Sequence, residues 1–248
     1  MVRVSIITPS IREKGLDVIR ESLLNQTFTD WEWIVCSPFK VEDAIWVHDN
    51  FDGGYWSLNR CYNALFKKAQ GEIIITWQDF IWLPPDALEK MVRAVEMTGG
   101  VVSGIGDQYG RLNEDTGKPE VKIWDDPRKT DKYGSLYECH PNDIEFNFAG
   151  FPRKIPFAVG GFDEHLDFLG FGGDQLQFME RVDELGYKSY LDQTNESFTL
   201  RHGRDDFGGE DYWNEKHVLF SFVEGHSIYD NRKKELKDKE MWPRLTYL

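Results

Sequence analysis

The chain has 248 residues, and its 43 acidic side chains outnumber 29 Lys and Arg, giving a formal net charge of −14 at pH 7. A surface this acidic repels nucleic-acid backbones and anionic membranes unless a local basic patch offsets it. The densest basic stretch, around Lys233 and Lys234, is interrupted by acids, so bare nucleic acid is not an expected partner. Apolar residues at 40% and aromatics at 15% suffice for a sizeable core and argue against disorder. Cys36, Cys61 and Cys139 are too few for a disulfide framework and too widely spaced for a zinc motif. Reduced, buried thiols in a cytoplasmic protein are the expectation. No apolar run approaches the ~20 residues that cross a bilayer, and Val2-Arg3-Val4-Ser5-Ile6-Ile7 reads as a strand rather than a signal peptide.

In chain order, Val4 to Ile7 forms a compact apolar run ended by Thr8-Pro9-Ser10. Leu16, Ile19 and Leu23 then recur as one helical face. Trp33-Ile34-Val35 reads as a second strand, and Leu58, Tyr62, Leu65, Phe66 and Ala69 share a second helical face. Gly71 is expected to close that helix as a left-handed cap. Ile73-Ile74-Ile75 reads as a strand covered on both faces. Pro84-Pro85 opens a helix whose Leu88, Met91, Val92 and Val95 face the core. Such alternation implies an α/β domain with a mainly parallel central sheet flanked by helices, and ligands at the carboxyl ends of the strands. Three segments occupy those ends: Thr8 to Arg12, Cys36 to Phe39, and Thr76 to Phe80.

From Gly104 to Glu145 charged and turn residues dominate, and Asn113 to Lys118 predicts a hairpin turn. A second ordered block runs from Phe146 to Leu200, with a helix over Asp174 to Leu185. Asn231 to Glu240 is a run of mixed charges, read as a solvated helix or a frayed end. The whole chain, 1–248, is read as one domain with a nucleotide-binding half, 1–103, and an acceptor-side half with the tail, 104–248.

Several chemistries lack their motifs. There is no G-x-G-x-x-G after the first strand, no G-x-x-x-x-G-K-[ST] and no G-x-S-x-G. Dinucleotide dehydrogenases, P-loop NTPases and elbow hydrolases are therefore not expected. What the chain carries, in order, is Ile6-Ile7-Thr8-Pro9-Ser10, Glu21 to Phe28, Trp31-Glu32-Trp33-Ile34-Val35, Asn63, Ala69-Gln70-Gly71-Glu72-Ile73-Ile74, Val159-Gly160-Gly161-Phe162-Asp163-Glu164 and Gly172-Gly173-Asp174-Gln175. Collinear over residues 2 to 202, this set resembles the glycosyltransferase family 2 group, whose fold is GT-A. The Gly172-Gly173-Asp174 segment is also similar to galactosyltransferase and polypeptide N-acetylgalactosaminyltransferase domains.

The resemblance implies a single GT-A-like domain that transfers a sugar from a nucleotide-sugar donor to an acceptor hydroxyl with inversion, assisted by Mn²⁺ or Mg²⁺. The family's Asp-x-Asp metal motif is degenerate here: in Trp77-Gln78-Asp79-Phe80 an ungapped match puts Gln78 and Phe80 at the acidic positions and Asp79 between them. Asp79 is then the candidate metal ligand, or else it caps a turn before Pro84. His202, in Leu200-Arg201-His202-Gly203-Arg204, is the second candidate ligand, and Arg201 and Arg204 suit phosphate oxygens. Asp174 matches the catalytic base that takes the acceptor's proton, the alternative being a helix cap.

Thr8, Pro9, Ser10, Arg12 and Gln78 are the implied nucleotide contacts. The acid that reads uracil after the second strand is missing from Cys36-Ser37-Pro38, so a UDP-sugar is a default choice. Trp46, Trp56, Trp77, Trp82 and Trp124 are candidates for stacking on a sugar, Trp77 first because it adjoins Asp79. With Gly172 and Gly173 it makes up the expected acceptor side, and Gly203 to Gly209 has a lid's composition. Two alternatives stay open: a non-catalytic nucleotide-sugar or glycan-binding protein on the same fold, and a metal-independent transferase in which Arg201 and Arg204 replace the cation.

Overall fold

The computed structural model describes residues 2–49, 58–113, 116, 118–169, 173–200 and 222–248. Strand–helix alternation holds through the first hundred residues, as β1 (Val4–Pro9), α1 (Glu13–Leu24), β2 (Trp31–Ser37), β3 (Ile45–His48), α2 (Leu58–Lys68), β4 (Ile73–Trp77), β5 (Ile81–Trp82) and α3 (Ala87–Thr98). The hairpin β6 (Val101–Leu112) and β7 (Pro119–Trp124) follows, its turn closed by the Asn113 N–H donating to the Lys118 carbonyl at 2.8 Å. Then come β8 (Leu136–Glu138), β9 (Phe148–Pro152), α4 (Lys154–Val159), α5 (Gly173–Glu184), β10 (Ser189–Leu200) and α6 (Phe222–Asp238).

The strands form one ten-stranded mixed sheet of order β3-β2-β1-β4-β9-β6-β10-β5, with β7 added to β6 and β8 to β10. β1, β2, β3 and β4 are mutually parallel, and β6 and β10 are parallel to each other. β9 lies antiparallel between β4 and β6. Two reversals restore the direction, so β6 and β10 point the same way as β1 and β4. The carboxyl ends of all six therefore meet at one edge. The two sequence halves are interleaved, because β5 from the first sits at the far edge beside β10 and β6 crosses the boundary between them.

Alternating side chains explain why β1 and β4 are buried along their whole length. Ile6, Ile73 and Ile75 pack with Leu16 and Ile19 of α1 and Leu88 and Met91 of α3. Ile7 and Ile74 point the other way, onto Tyr62, Leu65 and Phe66 of α2 and Phe178 of α5. Each strand is sandwiched between helices, which removes any polar face. Gly99, at φ 64°, supplies the left-handed cap that ends α3.

Two expectations need correction. Gly71 is not a left-handed cap: α2 already ends at Lys68, and Gly71 has no positive φ. Its small size answers to close approach instead, since a Cβ there would stand 2.5 Å from the Ser5 nitrogen and 2.6 Å from the Val4 carbonyl carbon of β1. Gly71→Ala must push β1 away, and overpacking of this kind costs about 1–3 kcal/mol. A urea-unfolding midpoint unchanged in Gly71→Ala would contradict that account.

The charged tail is neither frayed nor simply solvated. Leu236 of α6 is fully buried, and Arg232 clamps Asp163 through Nε at 2.7 Å and Nη2 at 3.1 Å. Beyond α6, the Leu245 and Tyr247 N–H groups donate to the Val159 and Gly160 carbonyls. No helix among the described residues is long and apolar enough to cross a membrane.

Candidate functional site

The common edge begins where β1 ends. Thr8 is fully buried, and its hydroxyl accepts from Trp33 Nε1 at 3.0 Å and donates to the Trp77 carbonyl at 2.9 Å. Thr8 and the buried Pro9 thus shape the floor of the edge. Ser10, 1% exposed, donates through Oγ to Asp79 Oδ2 at 2.6 Å and accepts from the Arg12 N–H at 3.1 Å. Arg12 then grips Asp79 in a fork, with Nε on Oδ2 at 3.1 Å and Nη2 on Oδ1. Asp79 itself is fully buried, while 15% of the Arg12 side chain remains exposed. The Phe80 ring lies 5.0 Å below the guanidinium carbon.

This surrounding does not fit a divalent ion at Asp79. A hard cation needs carboxylate lone pairs and further oxygens at roughly 2.0–2.6 Å, yet Asp79 Oδ1 accepts from Arg12, and Oδ2 accepts from both Arg12 and Ser10. Among the described residues no three His, Cys, Asp or Glu side chains converge as a metal cage. His202, Arg201, Arg204 and the Gly203 to Gly209 segment lie outside the described residues.

The expectation for Trp77 is corrected. It is fully buried, its Nε1 donates to the Ile81 carbonyl at 2.8 Å, and its ring meets Phe148 edge-on at 6.5 Å. Trp77 falls in register with Ile73 and Ile75 and shares their inward face, so it offers no surface to a sugar. Trp82, on β5, is half-buried instead. Its ring stands 5.4 Å from Phe198, which in turn stands 5.1 Å from Tyr109, giving the edge an aromatic surface past Asp79.

Gln78 closes the end of β4. Its Nε2 donates to the Tyr62 hydroxyl at 2.6 Å, and its N–H donates to the Asn147 carbonyl at 3.0 Å. The segment ahead of β9 bridges from there to α5: the Phe146 N–H donates to Gln175 Oε1 at 3.0 Å, and Gln175 Nε2 returns to the Ile144 carbonyl. The start of α5, with Gly173 and Asp174 as its first two residues, is thereby tied to the same edge as Asp79. The Asp174 side chain and Gly172 lie outside the described residues.

Two further carboxylates stand at this edge, of which the sequence offers Asp49 without a place and Glu145 not at all. Asp49 follows β3, and its N–H donates to the Ser37 carbonyl at 3.1 Å, which sets it beside the end of β2. It is 5% exposed, and its Oδ2 has no hydrogen-bond partner among the described residues. Burial raises its pKa above the usual carboxylate value, against the opposing pull of Cys61, Arg60 and His48. Glu145, just before β9, is likewise raised by desolvation and pulled back by Arg128, 3.4 Å away, although its side chain is 48% exposed. The only available signal for Asp49 is its position after a short apolar run, Ile45-Trp46-Val47, and that does not fix its neighbours. No protein-family model matches the chain, and no curated protein matches it.

Proposed function

We propose that this chain is an inverting glycosyltransferase on a single GT-A-like domain, moving a sugar from a nucleotide-sugar donor to an acceptor hydroxyl. The observation that carries the reading is the convergence of the Ser10–Arg12–Asp79 cluster and the start of α5, with Asp174, on one edge of parallel strands. Open α/β sheets bind ligands at that edge. Arg12 is assigned to the diphosphate, with Arg201 and Arg204 as further cations and His202 beside them.

Asp174 is the base. As the acceptor oxygen attacks C1, the carboxylate takes its proton, and the C1–phosphate bond breaks on the opposite face, so configuration inverts. The nucleoside diphosphate leaves with the electron pair of that bond. Gly172 and Gly173 allow the acceptor close to the Asp174 backbone, and the half-buried Trp82, Tyr109 and Phe198 rings supply a stacking surface for it. Asp49 is assigned the role left vacant after β2, its carboxylate accepting a nucleobase N–H beside the end of that strand. Uracil offers N3–H, so a UDP-sugar remains the first candidate donor. Free thiols at Cys36, Cys61 and Cys139 support a cytoplasmic setting.

A thermal-shift series over UDP, GDP, ADP and TDP tests the reading. UDP at 100 times its Kd stabilises by about 2.7 kcal/mol, and Asp49→Asn is expected to diminish that shift. A melting temperature that none of the four nucleotides moves counts against donor binding altogether. The second reading, a non-catalytic binding protein, is favoured by the engagement of Asp79 with Arg12. Donor turnover decides between the two.

A further inference from the structure

We propose that Arg12 is the resident cation of this site, that Asp79 is its internal counterion and not a metal ligand, and that a phosphate-bearing ligand binds the remaining guanidinium edge without a divalent ion. The ligand half of the proposal rests on the donor reading above; the counterion half does not.

Four contacts fix the pair. Arg12 Nε and Nη2 both donate to Asp79. Ser10 ties the two together, donating to Asp79 Oδ2 while accepting from the Arg12 backbone N–H. Phe80 covers one face of the guanidinium at 5.0 Å. Helix α1 closes the remaining side, because a Cβ on Gly15 would stand 2.5 Å from the Asp79 carbonyl oxygen and 3.1 Å from its Cβ. A hydrated cation has no room on that side.

A metal at Asp79 would have to displace the guanidinium. That would leave a mostly buried Arg12 without its counterion, and losing one partner of a buried ion pair is strongly destabilising. With its Nε–Nη2 edge held by Asp79 and part of its side chain exposed, Arg12 keeps Nη1 for a further acceptor. A guanidinium fixed in this way is preorganised for a phosphate oxygen.

The test has two independent arms. In the first, wild type and Asp79→Asn are melted in MnCl₂ and in EDTA. Asp79→Asn is expected to lower the melting temperature by several degrees equally in both buffers, with no Mn²⁺-dependent rise in wild type. A Mn²⁺-dependent rise in wild type that Asp79→Asn abolishes overturns the counterion assignment.

In the second arm, UDP and GDP are titrated calorimetrically into the full chain in the same two buffers. The expected result is one affinity in both, weakened about tenfold or more in Arg12→Lys, as for loss of a charge-assisted contact. Affinity that appears only with Mn²⁺ overturns the ligand half. Failure of both nucleotides to bind in either buffer rejects that half together with the donor reading, and the first arm still decides the role of Asp79. If Arg12→Lys does not fold, the double variant Arg12→Met with Asp79→Asn replaces it: it leaves no buried charge unpaired, and it is expected to lose nucleotide binding. Retention of wild-type affinity in that variant overturns the role of Arg12.

Discussion

Arg232→Met is expected to cost about 3–5 kcal/mol of folding stability, the range for removing one partner of a buried ion pair. Asp163 is fully buried and only 12% of the Arg232 side chain is exposed, so solvent screens the pair little. Burial alone would raise the Asp163 pKa, but the Arg232 hydrogen bonds and charge, with Tyr247 and Gln177, hold it below the usual value. Stability from such a carboxylate is fully present above the unfolded pKa of about 3.9 and is lost as pH falls through the folded value. Without Arg232 the sign reverses. Burial then dominates, the folded pKa rises above the unfolded one, and acidification from neutral pH should stabilise the variant.

Two measurements settle this: urea midpoints at neutral pH, and their slope between pH 7 and pH 4. The double variant Arg232→Met with Asp163→Asn should recover part of the loss, since the unpaired carboxylate is gone, while the buried Arg181 loses the Asp163 charge. A single variant that loses less than 1 kcal/mol, or whose stability falls with acid as in wild type, would show that the pair is not a structural clamp.

Asp174→Asn should lower the transfer rate by about 10²- to 10⁴-fold, the usual contribution of a positioned base. The amide keeps the shape of the side chain and removes the proton acceptor. The loss should fall in kcat with donor affinity unchanged, because the interaction develops in the transition state. The rival role, a cap at the start of α5, predicts something else: about 1 kcal/mol less stability and no specific loss of chemistry. Melting temperature, donor affinity and transfer rate measured on one preparation separate the two. Near-normal transfer by a folded Asp174→Asn protein removes Asp174 as the base.

The first half of the fold was legible because its signals are local. Leu16, Ile19 and Leu23 mark α1 by their spacing, and Ile73-Ile74-Ile75 marks a strand with two covered faces. The same signal hides direction. Phe148-Ala149-Gly150-Phe151 is apolar whichever way it runs, so the antiparallel placement of β9 left no trace. Trp77 misled for a related reason: it continues the inward face of Ile73 and Ile75, so nearness to Asp79 in sequence did not bring its ring to the surface. The Arg12–Asp79 fork joins residues 67 positions apart, and no periodicity reports such a pair. In α6 the charge run masked a docked helix, because its described attachments join distant partners: Leu236 in the core, Arg232 on Asp163, and Tyr229 and Lys233 on Glu180 of α5.

The antiparallel β9 also shapes how the chain is made. While ribosomes deliver β1, β2, β3 and β4, the outer edge of β4 has no neighbour until Phe148 to Pro152 emerges. Throughout that interval Ile73-Ile74-Ile75 presents unpaired backbone on an uncharged, β-branched strand, the kind of edge that recruits other chains. Synthesis therefore passes through a window in which the nascent sheet is sticky, and the late strand that later sits at its centre is also the one that seals it.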